Sequence, residues 1–249
     1  MPWTVRPAAR RATAEGIGTT VLVAAVVGSG IMATNLTPDV GLQLVIDALS
    51  TVAALAVLIW SLGPISGAHF NPAVTLVAAA RREMTWHEAG LYLGAQVVGG
   101  LLGSVLAHLM FSLPVATAST KPRTGPGQWL GELVATAGLI AVIGALTRTG
   151  MGRLGPALVP AWIGAAYFFT SSTSFANPAV TIGRSISDTF AGITPTDVPG
   201  FIAAQLVGAA IGAALVELFY PRTGVPEPLD LPGPVHQPPV ETQTDAPLR

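Results

Sequence analysis

The sequence predicts an all-α membrane protein: a bundle of six transmembrane helices plus two re-entrant half-helices, arranged as an inverted repeat. Three observations predict it. Hydrophobic residues make up 51% of the chain and charged residues only 10%, against about 25% charged in a soluble domain. Six apolar stretches are long enough to cross about 30 Å of hydrocarbon at about 1.5 Å per residue. The pentapeptide Asn-Pro-Ala-Val-Thr occurs at 71–75 and again at 177–181, each time opening a segment too short to span.

The spans run approximately over 13–34, 42–62, 89–111, 128–147, 154–173 and 199–219. The N-terminus has no cleavage pattern before its first apolar run, so that run is expected to stay as a span. Of the twelve Lys and Arg, nine fall at the N-terminus (Arg6, Arg10, Arg11), in two alternate loops (Arg81, Arg82, Arg148, Arg153) and in the tail (Arg222, Arg249). Only Lys121, Arg123 and Arg184 lie on the other side. That bias predicts a multi-pass protein of the cell membrane with both termini cytoplasmic. The tail over 221–249 holds eight prolines without apolar periodicity and is expected to be a disordered cytoplasmic extension. A net charge of -1 gives no footing for nucleic acid, and with no cysteine there is neither disulfide nor thiolate metal site.

Carboxylates are costly inside a membrane. Glu15 and Glu132 open matching halves of the chain, as EGIGTT and ELVATAG. They serve either as a proton relay or as buried acceptors for irregular backbone. Gln96 and Gln205 sit in a second matching pair, AQVVG and AQLVG, and read as interhelical hydrogen bonders or as contacts to a permeant.

Asn is a strong N-cap, and Pro is favoured at the first helical position because its missing N–H is unneeded there. Asn71-Pro72-Ala73 and Asn177-Pro178-Ala179 therefore each start a helix. The first ends at Ala80, before Arg81-Arg82, about 15 Å or half a bilayer; the second is expected to reach about Ser187. Loop 63–70 brings the first to mid-depth from the cytoplasmic side, and 174–188 does the same from outside. An odd number of spans inverts the second copy, so broken helices meet at a central site. Each N-cap side-chain oxygen is used on its own helix, which leaves the amide NH2 of Asn71 and Asn177 free to face a lumen. The two positive helix ends there repel cations.

These boxes, with SGAHFNPAVT after the second span, the paired Ala-Gln-x-x-Gly and the two glutamates, resemble the aquaporin (major intrinsic protein) family over roughly 12–219. Repeat one would cover about 12–111 and repeat two about 128–219, as a single domain. The resemblance implies a homotetramer in the lipid bilayer with one pore per subunit, no cofactor and no metal. It also implies His69 at the inner vestibule and a selectivity filter at Thr51, Ala165, Ser174 and Val180. Most members carry an arginine where this chain has Val180. None of the four residues is aromatic, charged or large, so a wide, weakly polar filter is expected. Arg184, one turn further out, either supplies a cation at the outer mouth or reaches to the lipid headgroups.

The expected function is a passive channel for small uncharged solutes, such as glycerol-like polyols and arsenous acid, and for water, with ions excluded. A water-selective pore is one alternative. A secondary active transporter is another, but it needs a carboxylate cluster at mid-depth, which the boxes lack. An enzyme is disfavoured, because neither box holds a nucleophile–base pair.

Overall fold

The computed structural model describes residues 7–221. Arg6, Arg222, Arg249 and the proline-rich tail after Pro221 lie outside the described residues. The helices are α1 (Ala8–Leu36), α2 (Val40–Ser66), α3 (Pro72–Ala80), α4 (Trp86–Met110), α5 (Pro126–Arg148), α6 (Gly155–Phe169), α7 (Pro178–Arg184) and α8 (Val198–Phe219). Five of the described helices are long and apolar enough to cross a membrane.

The first four helices (α1–α4) and the last four (α5–α8) pack by the same plan. Helix α1 lies along α4, and α5 along α8. The half-helices tie the two sets together, since α7 also packs on α4 and α3 on α8. Close approach of the long pairs rests on Gly99 and Gly208, the last residues of the two Ala-Gln-x-x-Gly segments. A Cβ on Gly99 would stand 2.5 Å from the Gly16 carbonyl oxygen, and one on Gly208 would stand 2.3 Å from that of Leu133. Backbone cannot yield as a side-chain end can. Gly208→Val should therefore prise α8 from α5 at a cost of about 1–3 kcal/mol, read as a lower melting temperature in detergent.

Three boundaries depart from the sequence expectation. Helix α2 carries Pro64 in its last turn and continues to Ser66, where Gly67 (φ 89) caps it; the re-entrant loop is 67–70 and not 63–70. Helix α6 has 15 residues, about 22 Å, and not the full 154–173 span, because Thr170 turns extended and residues 171–176 form the second re-entrant loop. Helix α7 stops at Arg184 instead of Ser187. The carbonyls of Ser185 and Ile186 accept from the N–H groups of Ser119 and Thr117 (2.9 Å each), so the α4–α5 loop takes over the backbone that a longer helix would have used.

Candidate functional site

The two Asn-Pro-Ala boxes meet nose to nose. Asn71 Oδ1 accepts from Ala73 N (2.9 Å), and Asn177 Oδ1 accepts from Ala179 N (3.0 Å) and Val180 N (3.3 Å). The amide nitrogens cross over: Asn71 Nδ2 donates to the Ala176 carbonyl (2.7 Å) and Asn177 Nδ2 to the Phe70 carbonyl (2.8 Å). The expectation of two wholly free NH2 groups is thus corrected. Each amide commits one N–H to the residue preceding the opposite asparagine and retains one. Phe70 (φ 48) and Ala176 (φ 45) are both left-handed, a conformation that costs a non-glycine residue free energy and must be held by its surroundings.

The glutamates supply that hold. Glu15 accepts from Ser66 Oγ (2.6 Å), His69 N (3.0 Å), Phe70 N (2.6 Å) and Gln96 Nε2 (2.8 Å). Glu132 accepts from Phe175 N (2.8 Å), Ala176 N (2.8 Å) and Gln205 Nε2 (2.6 Å). Both carboxylates are fully buried, and every one of these partners is a donor, which suits an anchored anion rather than a relay. Gln96 and Gln205 each also donate to a half-helix threonine, Thr75 and Thr181 (2.9 Å each). They are interhelical bonders buried away from the lumen.

A cavity of about 710 Å³ passes this junction. At one end it is lined by Arg81, Glu83, Thr147 and Arg153, at mid-depth by Asn71 and Asn177, and at the other end by Thr51, Tyr167, Ser174 and Arg184. The loop residues 67–70 and 174–176 and both asparagines bring polar groups to it, and Leu22, Val26, Leu55, Leu139 and Ile143 bring apolar ones. His69 lines the cavity with Nδ1 3.1 Å from Thr75 Oγ1 and its ring edge-on to Tyr92.

At the Tyr167 end of the cavity the expected ring needs correction. Thr51, Ser174 and Val180 line the cavity; Ala165 is exposed on the opposite face of α6. The face of α6 turned inward is Val159, Ile163 and Tyr167, spaced four residues apart as one helix side requires. Tyr167 Oη donates to Thr51 Oγ1 (3.2 Å), so an aromatic does stand here. Arg184 does not reach to the lipid headgroups. It is 2% exposed, donates from Nε to the Ala191 carbonyl, and sets its guanidinium carbon 3.4 Å from the Phe175 ring centroid. Arg123, absent from the sequence-based candidates, approaches the same ring at 4.9 Å and donates from Nε to the Gly192 carbonyl (2.8 Å). Only the fold reveals it, because its partners lie 49 to 74 positions away.

Lys121, in the loop between α4 and α5, donates to the Phe190 carbonyl (2.7 Å). Burial, and then repulsion from Arg123 and Arg184, push its ammonium down to about 8 from 10.5. Between those values the unfolded chain binds more protons than the folded one, so stability rises with pH there. The melting temperature in detergent should rise between about pH 8 and about pH 10, and Lys121→Met should flatten that rise.

The family model described as Major intrinsic protein matches residues 3–176 and 170–240. The chain is 54% identical over 207 residues to the aquaglyceroporin AqpS of Rhizobium meliloti, covering 83% of this chain and 88% of that protein. It is 26% identical to the glycerol uptake facilitator protein of Bacillus subtilis, covering 83% and 82%. The X-ray structure of the aquaglyceroporin from Plasmodium falciparum superposes with a TM-score of 0.60 at 20% identity, covering 87% of this chain and 96% of that one; it shares the fold.

Proposed function

Because the chain belongs to the major intrinsic protein family, and so is a multi-pass membrane protein, we propose that it is a passive channel conducting small uncharged solutes. These include glycerol-like polyols, neutral metalloid hydroxides such as arsenous acid, and water, with protons and ions excluded. The crossed asparagines carry this reading. The remaining N–H of each amide offers a donor midway along a cavity lined by both polar loop residues and apolar side chains. A permeating hydroxyl oxygen or water accepts from the two amides and then donates outward, which interrupts a proton wire. The facing N-termini of α3 and α7 add positive potential that cations must climb.

A second reading, a water-selective pore, is favoured by Tyr167 and Arg184 at the outer end. It is separated from the first by swelling of proteoliposomes in water, glycerol, urea and arsenous acid. Glycerol and arsenous acid flux well above that of protein-free vesicles is expected. Water flux alone would select the second reading, and no flux of any of the four would sink both. Val180→Arg adds a bulky cation one turn inside Arg184; it should cut glycerol flux about fivefold more than water flux, the equivalent of about 1 kcal/mol of extra barrier. Equal loss of both would count against a size-limiting position at residue 180.

Both termini are proposed to be cytoplasmic and the assembly a homotetramer. With no native cysteine, single cysteines introduced at 10 and 124 can be labelled from one side of the membrane at a time, which decides the orientation.

A further inference from the structure

Arg184 presents an imbalance. It is among the largest fully buried side chains of the described residues, and a buried cation normally has every donor matched. Its Nε is matched by the Ala191 carbonyl. Its two terminal nitrogens make no hydrogen bond to any described residue, and neither is sealed from accessible space. Since Arg184 lines the cavity, those donors are left to whatever fills it.

The side chain is also held rigidly. Phe175 stacks on it and the Ala191 carbonyl fixes its inner edge. The neighbouring carbonyl, Gly192, takes Arg123, whose guanidinium lies against the same Phe175 ring. Arg123 further donates from Nη1 to the Ser172 carbonyl and Thr173 Oγ1 (3.3 Å each). One aromatic ring and two adjacent carbonyls thus carry two guanidinium groups, one facing the cavity and one locked in the loop. The same end of the cavity carries the hydrogen-bonded hydroxyl pair of Tyr167 and Thr51. The carboxylates within electrostatic reach of Arg184 are Asp47 and Glu132. Asp47 accepts from Ser29 (2.8 Å) and Glu132 is anchored to the second loop, so neither neutralises the guanidinium by direct contact.

We propose that Arg184, in place of residue 180, is the residue that sets selectivity at the outer end: its guanidinium fork repels cations and donates to uncharged solutes carrying two or more hydroxyls as they pass the Tyr167–Thr51 pair, while Arg123 positions it through Phe175. The inference rests on the channel reading above. A planar fork suits two oxygens on adjacent carbons, because it donates in two parallel directions; an ammonium is a point charge and does not.

The test uses the purified full-length protein in proteoliposomes. For wild type, Arg184→Gln, Arg184→Lys, Arg123→Gln, Tyr167→Phe and Val180→Ala, potassium leak and the glycerol-to-urea permeability ratio are measured relative to water permeability in the same vesicles. Arg184→Gln should raise potassium leak about tenfold, the effect of removing about 1.4 kcal/mol of electrostatic barrier. It should lower the glycerol-to-urea ratio about tenfold, as expected for loss of one charge-assisted hydrogen bond. Arg184→Lys should keep the leak low and still lose the ratio. Arg123→Gln should move both in the direction of Arg184→Gln by a smaller amount, and Tyr167→Phe should lower the ratio alone. Should Arg184→Gln fail to fold, the split between leak and ratio in Arg184→Lys decides the matter. Wild-type leak and ratio in Arg184→Gln, a wild-type ratio in Arg184→Lys, or a larger shift from Val180→Ala would each overturn this inference alone. A wild-type protein that conducts neither water nor glycerol would overturn the channel reading and this inference with it.

Discussion

Replacing Glu15 by Gln should abolish accumulation of folded protein or lower its melting temperature more than any lumen-facing substitution. The carboxylate accepts four hydrogen bonds, two to each oxygen. A carboxamide of the same shape has one oxygen, and its NH2 would confront two donors with a third. Hydrogen bonds to a charged group contribute about 1.5–3 kcal/mol each, and a buried donor left unmatched costs about 1–3 kcal/mol. Loss of two such bonds approaches the whole of a typical stability of about 5–15 kcal/mol. Glu132→Gln should act alike on the second loop, where the N–H groups of Phe175 and Ala176 would lose their acceptor.

A swap separates anchoring from simple pairing. Glu15→Gln with Gln96→Glu restores a carboxylate beside an amide, yet position 96 reaches from another helix and cannot serve the N–H groups of His69 and Phe70 as Glu15 does. The double variant should therefore remain as unstable as Glu15→Gln. Recovery of the melting temperature would show that the pair, and not the loop, is what the glutamate serves. A proton relay makes a different forecast: a folded protein that has lost pH-dependent transport.

How far these features could be read from sequence depended on their range. Asn71, Asn177 and the prolines after them declare helix starts locally, and the half-length of the first was legible from Arg81-Arg82. The anchoring role of Glu15 and Glu132 was legible because membrane interior plus re-entrant backbone leaves few other acceptors. Position 165 was misplaced for a geometric reason. Counting from the asparagines fixes a depth but not a helix face, and the inward face of α6 is set by its packing on α2 and α5, which turns Tyr167 inward and Ala165 outward. The direction of Arg184 was open for a similar reason, since it depends on the carbonyl of Ala191 in one loop and the ring of Phe175 in another. The crossed amides were hidden altogether, because each bond joins residues 105 or 107 positions apart and exists only when the two repeats are assembled.

Those crossed amides yield the second large effect. Asn71→Asp or Asn177→Asp should admit cations at about tenfold or more above the wild-type leak, while both half-helices persist. Asp caps a helix as well as Asn does, so the bonds from Oδ1 to the N–H groups of Ala73, or of Ala179 and Val180, are retained. The cross-bond is lost, because a carboxylate oxygen now faces the Ala176 or Phe70 carbonyl oxygen at a separation of about 2.7 Å or 2.8 Å, leaving a buried acceptor unmatched at about 1–3 kcal/mol. The full negative charge also offsets the two half-charges of about +0.5 at the facing helix ends, so the positive potential that opposes cations at mid-depth is cancelled. Sodium flux into proteoliposomes reads the change directly. Asn71→Ala supplies the contrast, as it removes cap and cross-bond without adding charge. It should lose neutral-solute flux through disorder of α3 but gain far less sodium flux. A sodium leak as large in Asn71→Ala as in Asn71→Asp would mean that loosened packing admits the ions and that the positive centre contributes nothing to their exclusion.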